Sequence, residues 1–329
     1  MSARVHPTAL GLLGGYAADR LLGDPRRYHP VAGFGRLASR LEQGLYADDR
    51  LRGLGYTVLL AGGAAALGTP VRRLPSPALR AGVTALATWI VLGGRSLEAE
   101  ADTVERLLAA ADLPAARRRL THLVGRDTSM LDGTEVARAV VESVAENSSD
   151  AVVAPLLWGA LAGVPGLLGY RAANTLDAMV GHRGPRYERF GWASARLDDA
   201  LNLPAARLAG LLTAVLAPRR VRDVVRIWRR DAAAHPSPNA GVVEAAFAGA
   251  LGLRLGGTNV YGERVEHRPA LGDGPAPEAC DIARARRLAR RLGLASALVC
   301  AGAVMGASAG VAALPVRSRA RGVMRLTRP

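Results

Sequence analysis

The chain has 329 residues, half of them apolar, and a formal net charge of +15. Its positive mean hydropathy, sparse aromatic residues and 38 glycines, many inside apolar runs, favour a helical bundle in a bilayer over two soluble domains. All the positive charge is arginine, because lysine is absent, and the only cysteines are Cys280 and Cys300; this excludes a lysine nucleophile, a disulfide framework and a cysteine-based zinc centre.

In chain order, residues 5–18 form a short apolar run interrupted early by His6 and Pro7. It passes into Asp19, Arg20 and Asp24 without a small-residue cleavage site, so no separate cleaved leader is expected. Gly53–Val71 is long enough to cross a bilayer, whereas Ala81–Gly94 is short. Ser96–Ala111 has apolar residues at helical spacing, with Ser96 as the expected cap and Leu113-Pro114 as the stop. A second helix is expected over Thr134–Glu146, capped by Thr134. Ala151–Tyr170 is long enough to span, with kinks at Pro155 and Pro165; Leu208–Pro218 is short again. Gly256–Pro277, rich in Gly and Pro, reads as an exposed loop, and Leu292–Val316 as a last span. No sustained alternation of period two, no GxGxxG and no internal repeat is present. The fold class is therefore all-α: one multi-pass integral membrane bundle over residues 1–329 with four to six membrane-associated helices, its polar helices and loops on the cytoplasmic side.

Arginines cluster between the apolar runs, at 117–119, 219–230, 284–291 and 317–328. That distribution suits cytoplasmic loops and anionic headgroups, and the basic tail 317–329 reads the same way. No groove-reading motif appears, so no nucleic-acid partner is expected and membrane lipids are.

Four polar clusters interrupt this background, with a separate turn after them. In 124–129, Gly125 lets a backbone approach a ligand, and Arg126, Thr128 and Ser129 suit phosphate oxygens; the same string reads equally as a helix-opening turn capped by Asp127. Glu142, Glu146 and Asp150 come next at i, i+4, i+8, with Asn147 beside them. Three carboxylates on one helical face repel unless they hold Mg²⁺ or face arginines; a solvated acidic face is the alternative. Arg171, Asn174 and Asp177 recur every three residues, either as a functional face or as a structural Arg–Asp pair. Arg196 with Asp198 and Asp199, ending near Asn202, suits a metal–phosphate site or a helix cap. Finally, His235-Pro-Ser-Pro-Asn239 is a turn stiffened by two prolines that presents His235 and Asn239 to a ligand, or to water as polar surface. No GxSxG nucleophile elbow is present.

Read in order, DRLLGDPRRYHPV (19–31), VGRDTSMLDGTEVARAVVESVAENSSDAVVAPL (124–156), YRAANTLDAMVGHRGPRYERFGWASARLDDALNLPAARL (170–208), HPSPNAGVVEAAFAGALGLRLGG (235–257) and Tyr261-Gly262 resemble the CobD/CbiB family of cobalamin biosynthesis proteins. Gly133-Thr134 and Val242-Val243 depart from its usual acidic residues and Trp-Pro. The resemblance implies an adenosylcobinamide-phosphate synthase of the cell's inner membrane, its active site facing the cytoplasm. It joins adenosylcobyric acid to (R)-1-amino-2-propanol or its O-phosphate through an amide bond, with ATP and Mg²⁺ activating the carboxylate. The catalytic block is then 124–208, with 235–262 contributing. Metal ligands are expected from Glu142, Glu146, Asp150, Asp177, Asp198 and Asp199. Arg126, Arg171 and Arg196, with Thr128 and Ser129, would contact phosphate, and Asn147, Asn174 and Asn239 would orient substrate or nucleotide. Asp127, Glu146 and His235 are the expected catalytic groups, with Asp127 or His235 taking the amine's proton. Docking on other membrane enzymes of nucleotide-loop assembly and a homo-oligomer are compatible expectations. The competing readings are a corrinoid transporter or scaffold and a sensor of the AmpE type, neither forming an ATP-dependent product.

Overall fold

A computed structural model describes residues 6–25, 29–182, 184–261 and 264–312. The basic tail 317–329, the end of the last expected span, part of the 19–31 string and Gly262 lie outside these residues. The chain runs through α1 (Pro7–Leu22), α2 (Pro30–Leu45), α3 (Arg50–Thr57), α4 (Gly63–Gly68), α5 (Pro77–Val91), α6 (Gly94–Ala109) and α7 (Leu113–Leu120). It continues through α8 (Gly133–Ser148), α9 (Ala154–Ala162), α10 (Val164–Leu176), α11 (Trp192–Leu216), α12 (Val221–Asp231) and α13 (Ala240–Leu251), and ends with α14 (Ala279–Ala312). Three π-helical turns interrupt this series, at Val58–Gly62, Ser149–Val153 and Asp177–Gly181.

The helix starts obey local chemistry. His6-Pro7 and His29-Pro30 open α1 and α2 identically: each imidazole Nδ1 accepts the backbone N–H two residues on, at 3.2 Å, while proline occupies a position that needs no donor. Helix α8 opens on a reciprocal capping box between Asp132 and Glu135, so the cap is Asp132 and not Thr134. Likewise α6 starts at Gly94 after Gly93, two residues ahead of the expected Ser96 cap, and the Asp19 carboxylate lies close against that Gly94 end.

Four segments are long and apolar enough to cross a membrane: Arg50–Arg73, Pro77–Ala109, Trp192–Leu216 and Ala279–Ser308. Ala151–Tyr170 is not one of them. Gly163, at φ +71°, breaks it into α9 and α10, which fold back on each other. The Tyr170 hydroxyl donates to the Asp150 carbonyl, so the segment is a helical hairpin whose two polar ends lie together. Gly256–Pro277 also departs from expectation. It forms an antiparallel hairpin, β1 (Leu255–Tyr261) and β2 (Arg264–Leu271), with a bulge between Leu255 and Gly257, and it buries Leu255, Asn259 and Leu271. Glycines at positive φ in the bulge replaced the alternating pattern by which a strand is recognised.

Two cores share the long helices. One gathers Val136–Ala145 of α8, Ile227 of α12, Phe247 of α13 and Ile282–Leu292 of α14. The other gathers Leu12 and Tyr16 of α1, Val91 of α5, Leu156 of α9, Leu167 of α10 and Ala297–Val304 of α14. Helix α14 and the continuous helical stretch 133–162, on the order of 45 Å long, run through both. The seam between the cores falls at Ser148–Asp150, beside Tyr170 and Asn202.

Within the second core, α1 packs on α5 through Gly11 and Gly15, four residues apart. A Cβ at either position would overlap a threonine side chain of α5, Thr84 at the first and Thr88 at the second. This small-residue contact brings the two backbones together where lipid supplies no hydrophobic drive. Gly15→Leu should therefore destabilise the purified protein by about 1–3 kcal/mol, the usual range for overpacking, or more. Thermal unfolding in detergent, with Gly14→Leu as the control at an uncrowded neighbour, measures it.

Candidate active site at the seam

The polar clusters that are scattered in sequence converge at the seam. Helix α8 delivers Glu142 and Glu146, and the π-turn after it delivers Asp150. Helix α10 delivers Arg171 and Asn174, and the π-turn after it starts at Asp177. Helix α11 contributes Asp198 and Asn202. A π-turn adds a residue to a helical turn and so re-aims the side chains beyond it, and two of the three among the described residues carry site carboxylates.

Glu146, Asp150, Asp177 and Asp198 lie within electrostatic reach of one another, and Asp199 acts on Asp177. Asp198 is held: Oδ1 accepts from Asn174 at 3.2 Å and Oδ2 from Asn202 at 2.9 Å, while the Tyr170 hydroxyl donates to Asn202 Oδ1 at 2.8 Å and contacts the Asp150 carbonyl oxygen. By contrast, the carboxylates of Glu146, Asp150 and Asp177 accept no hydrogen bond among the described residues. Burial and mutual repulsion push Glu146 above the usual carboxylate range and Asp177 to about 7. Arg171 stands against Asp150 with a buried Nε that has no partner among the described residues.

Beside this acidic basin sits an ion-pair knot. Glu142 Oε1 accepts from Arg138 Nη1 at 3.0 Å and from the Gly256 backbone N–H at 2.9 Å, and Oε2 accepts from Arg126 Nη2 at 2.9 Å. Arg126 also donates to Asn259 of β1. Burial alone would raise the Glu142 carboxyl, but the two guanidinium groups, the Gly256 N–H and the Arg126 hydrogen bond together outweigh it and hold it below its ordinary value. Glu142 and Arg126, expected as metal ligand and phosphate contact, here tie the β-hairpin to α8.

A third group faces Glu142 and Glu146 from the other side. The His235 ring is buried and neutral, its basicity lowered chiefly by burial. Nδ1 lies 3.1 Å from the Ser237 backbone N–H and 3.2 Å from the Ser237 carbonyl oxygen, while Nε2 lies 3.8 Å from Glu244. Arg268 Nη1 lies 3.4 Å from that nitrogen. Both Glu244 oxygens are buried without a hydrogen-bond partner among the described residues, and burial pushes this carboxyl well above its ordinary range.

The other expected residues fall outside the basin or serve the scaffold. Asp127 and Ser129 are exposed, Asp127 accepting from the Ser129 backbone N–H at 2.8 Å. Thr128 donates to the Arg117 carbonyl, Asn147 to its own helix at Ser143, and Arg196 is exposed with no polar contact among the described residues. Asn239 donates to the Asp199 carbonyl and accepts from Arg207, pinning the His235 turn to α11. The sequence reading missed Glu244, Arg138, Asn259 and Arg268. Glu244 had a signal, being the one charge in the apolar stretch AGVVEAAFAGAL. The others depend on the hairpin, which was not foreseen.

The profile of the CobD/Cbib protein family matches residues 12–289, and so covers the whole basin. This chain belongs to the CobD/CbiB family. Among similar CobD/CbiB proteins, it is 52% identical over 285 residues to the cobalamin biosynthesis protein CobD of Mycobacterium tuberculosis, covering 86% of this chain and 91% of that one. It is 48% identical over 272 residues to the protein of the same name from Rhodobacter capsulatus (80% and 85%) and 46% over 280 residues to that from Stutzerimonas stutzeri (84% and 91%). No solved structure matches the chain.

The knot yields a sharp expectation for this CobD/CbiB chain. Glu142→Gln strands two buried guanidinium groups, so it should cost about 3–5 kcal/mol of stability. Chemical-denaturant unfolding in detergent would read that loss. The same substitution at half-buried Glu135 should cost less, since only the capping box is weakened, by about 1 kcal/mol.

Proposed function

We propose that the chain is a cobalamin biosynthesis enzyme that joins the free carboxyl of adenosylcobyric acid to (R)-1-amino-2-propanol, or its O-phosphate, at the expense of ATP. The observation that carries this reading is the basin itself: three carboxylates without hydrogen-bond partners among the described residues, raised by burial and repulsion, beside arginines at the seam of a CobD/CbiB chain.

Amide formation from a free acid is uphill in water, so the carboxylate must first become an acyl phosphate. A corrin carboxylate oxygen bonds to the γ-phosphorus of ATP and ADP leaves; the amine nitrogen then bonds to the acyl carbon and phosphate leaves. Hard oxygen ligands whose negative charge is uncompensated fit Mg²⁺. Glu146, Asp150 and Asp177 would hold it, with Asp198 fixed behind them by Asn174 and Asn202. Such an ion supplies charge neutralisation on the transferring phosphoryl group. Among the described residues no group of three His, Cys, Asp or Glu is gathered at metal-binding distances, so holding the ion would require these carboxylates to draw together. Arg171, whose buried Nε has no partner among the described residues, is the better phosphate contact, because Arg126 is engaged by Glu142 and Asn259. Neutral His235, with Glu244 beside it, would relay the proton released by the attacking amine.

Purified, detergent-solubilised protein given adenosylcobyric acid, aminopropanol phosphate, ATP and Mg²⁺ should form the amide, read by mass, and should form none without ATP. Product without ATP, or none with it, removes the ligase reading and leaves a transporter or scaffold. Asp177→Asn and Asp150→Asn should each lower the rate by at least about a hundredfold, the scale of losing a charge-stabilising group.

The pH dependence has a definite sign. Asp177 rises from 3.8 to about 7 on folding, so its protonated form favours the folded state and acid stabilises it. Without Mg²⁺ the protein should lose stability as pH rises from about 4 through 7. Adding Mg²⁺ should reverse that loss above 7, where the carboxylate is charged, and have little effect at pH 5. Thermal melting across this range, with and without Mg²⁺, tests both arms.

A further inference from the structure

The end of α11 and the first half of α14 enclose a groove of about 390 Å³, remote in character from the acidic basin. Five arginines line it: Arg219, Arg220, Arg284, Arg287 and Arg291, over a floor that includes Leu216, Leu251 and Leu288. Arg220 and Arg284 are turned partly inward. Arg220 donates to the Gly249 carbonyl at 3.0 Å, and Arg284 to the Leu251 carbonyl at 2.6 Å and to Asp281. Arg219, Arg287 and Arg291 make no hydrogen bond or ion pair among the described residues. Arg220 and Arg284 also pair with Asp223 and Asp281, which leaves three arginines of the groove without a counter-charge among the described residues, an unfavourable gathering that points to an anion the groove receives.

In the neighbouring groove along α12, Arg226 and Arg230 are held by Asp223, Asp231 and Asp273. The α11–α14 groove is distinguished by its apolar surroundings. On α11, Leu211 and Val215 are exposed four residues apart, Val215 at 71%, just before the Pro218–Arg220 turn that carries Arg219. On α14, Arg287, Arg291, Leu294 and Leu298 descend one face, and both leucines are half exposed. Both helices are long and apolar enough to cross a membrane, and they pack on each other. Two stripes therefore lead from free arginines onto exposed aliphatic surface.

We infer that this groove is a binding site for an anionic phospholipid, its headgroup phosphate held by Arg219, Arg287 and Arg291 and its acyl chains lying over Leu211, Val215, Leu294 and Leu298. A soluble phosphate ligand has no use for the aliphatic stripes. A zwitterionic lipid has no use for the excess charge.

The test uses the full chain in neutral detergent, titrated with phosphatidylglycerol or with phosphatidylcholine of the same acyl chains, and bound lipid counted by intact-protein mass spectrometry. Phosphatidylglycerol should be retained and phosphatidylcholine lost. The triple variant Arg219→Gln, Arg287→Gln, Arg291→Gln should bind phosphatidylglycerol about a hundredfold more weakly, whereas Arg118→Gln, at an exposed arginine on α7, should bind as the wild type does. Wild-type binding should also weaken steeply with added salt, a reading that does not depend on the variant's folding. Equal retention of both lipids, unchanged binding by a folded triple variant, indifference to salt, or displacement of the lipid by millimolar inorganic phosphate or ATP would each overturn the inference.

Discussion

The carboxylate of Glu142 is the point on which the polar half of the molecule depends. It sits between two buried guanidinium groups, on α8 itself and on the loop before it, and accepts the first free backbone N–H of the β-hairpin bulge. Removing one partner from such a group leaves charge stranded in a poorly solvated interior, which costs far more than the pair contributes when complete. The hairpin in turn carries Arg268 to His235. One glutamate thus stands between the acidic basin and the imidazole, within electrostatic reach of both.

Much of this was legible in the residues. The i, i+4, i+8 spacing of Glu142, Glu146 and Asp150 does place them along one side, and the three-residue spacing of Arg171, Asn174 and Asp177 does bring that face to the same place. Spacing could not reveal the division of labour. Glu142 and Glu146 look alike in sequence. Only the tertiary positions of Arg126, Arg138 and Gly256 neutralise the first and leave the second open to its neighbours' repulsion. Similarly, Asn239 reads as a ligand-facing amide, yet both of its functions are consumed in holding its turn to α11.

The misjudged elements share a cause. Apolar length alone favoured a span over Ala151–Tyr170, but a single glycine at positive φ decides whether twenty apolar residues cross or turn back. Glycines in a bulge likewise hid the β-hairpin, since its register is set by contacts with α8 and α13 and not by its own pattern. Local preference was overridden wherever a distant partner fixed the backbone.

The turn at Gly163 carries a topological consequence. Because the segment doubles back, its Asp150 and Tyr170 ends meet, and the chain reaches Asp177 at the same end of the hairpin as Glu146. Had the same residues run straight through, Glu146 and Asp177 would be separated by the thickness of a bilayer. That reversal, more than the identity of any one carboxylate, is what allows motifs from both ends of that hairpin to share a single chamber.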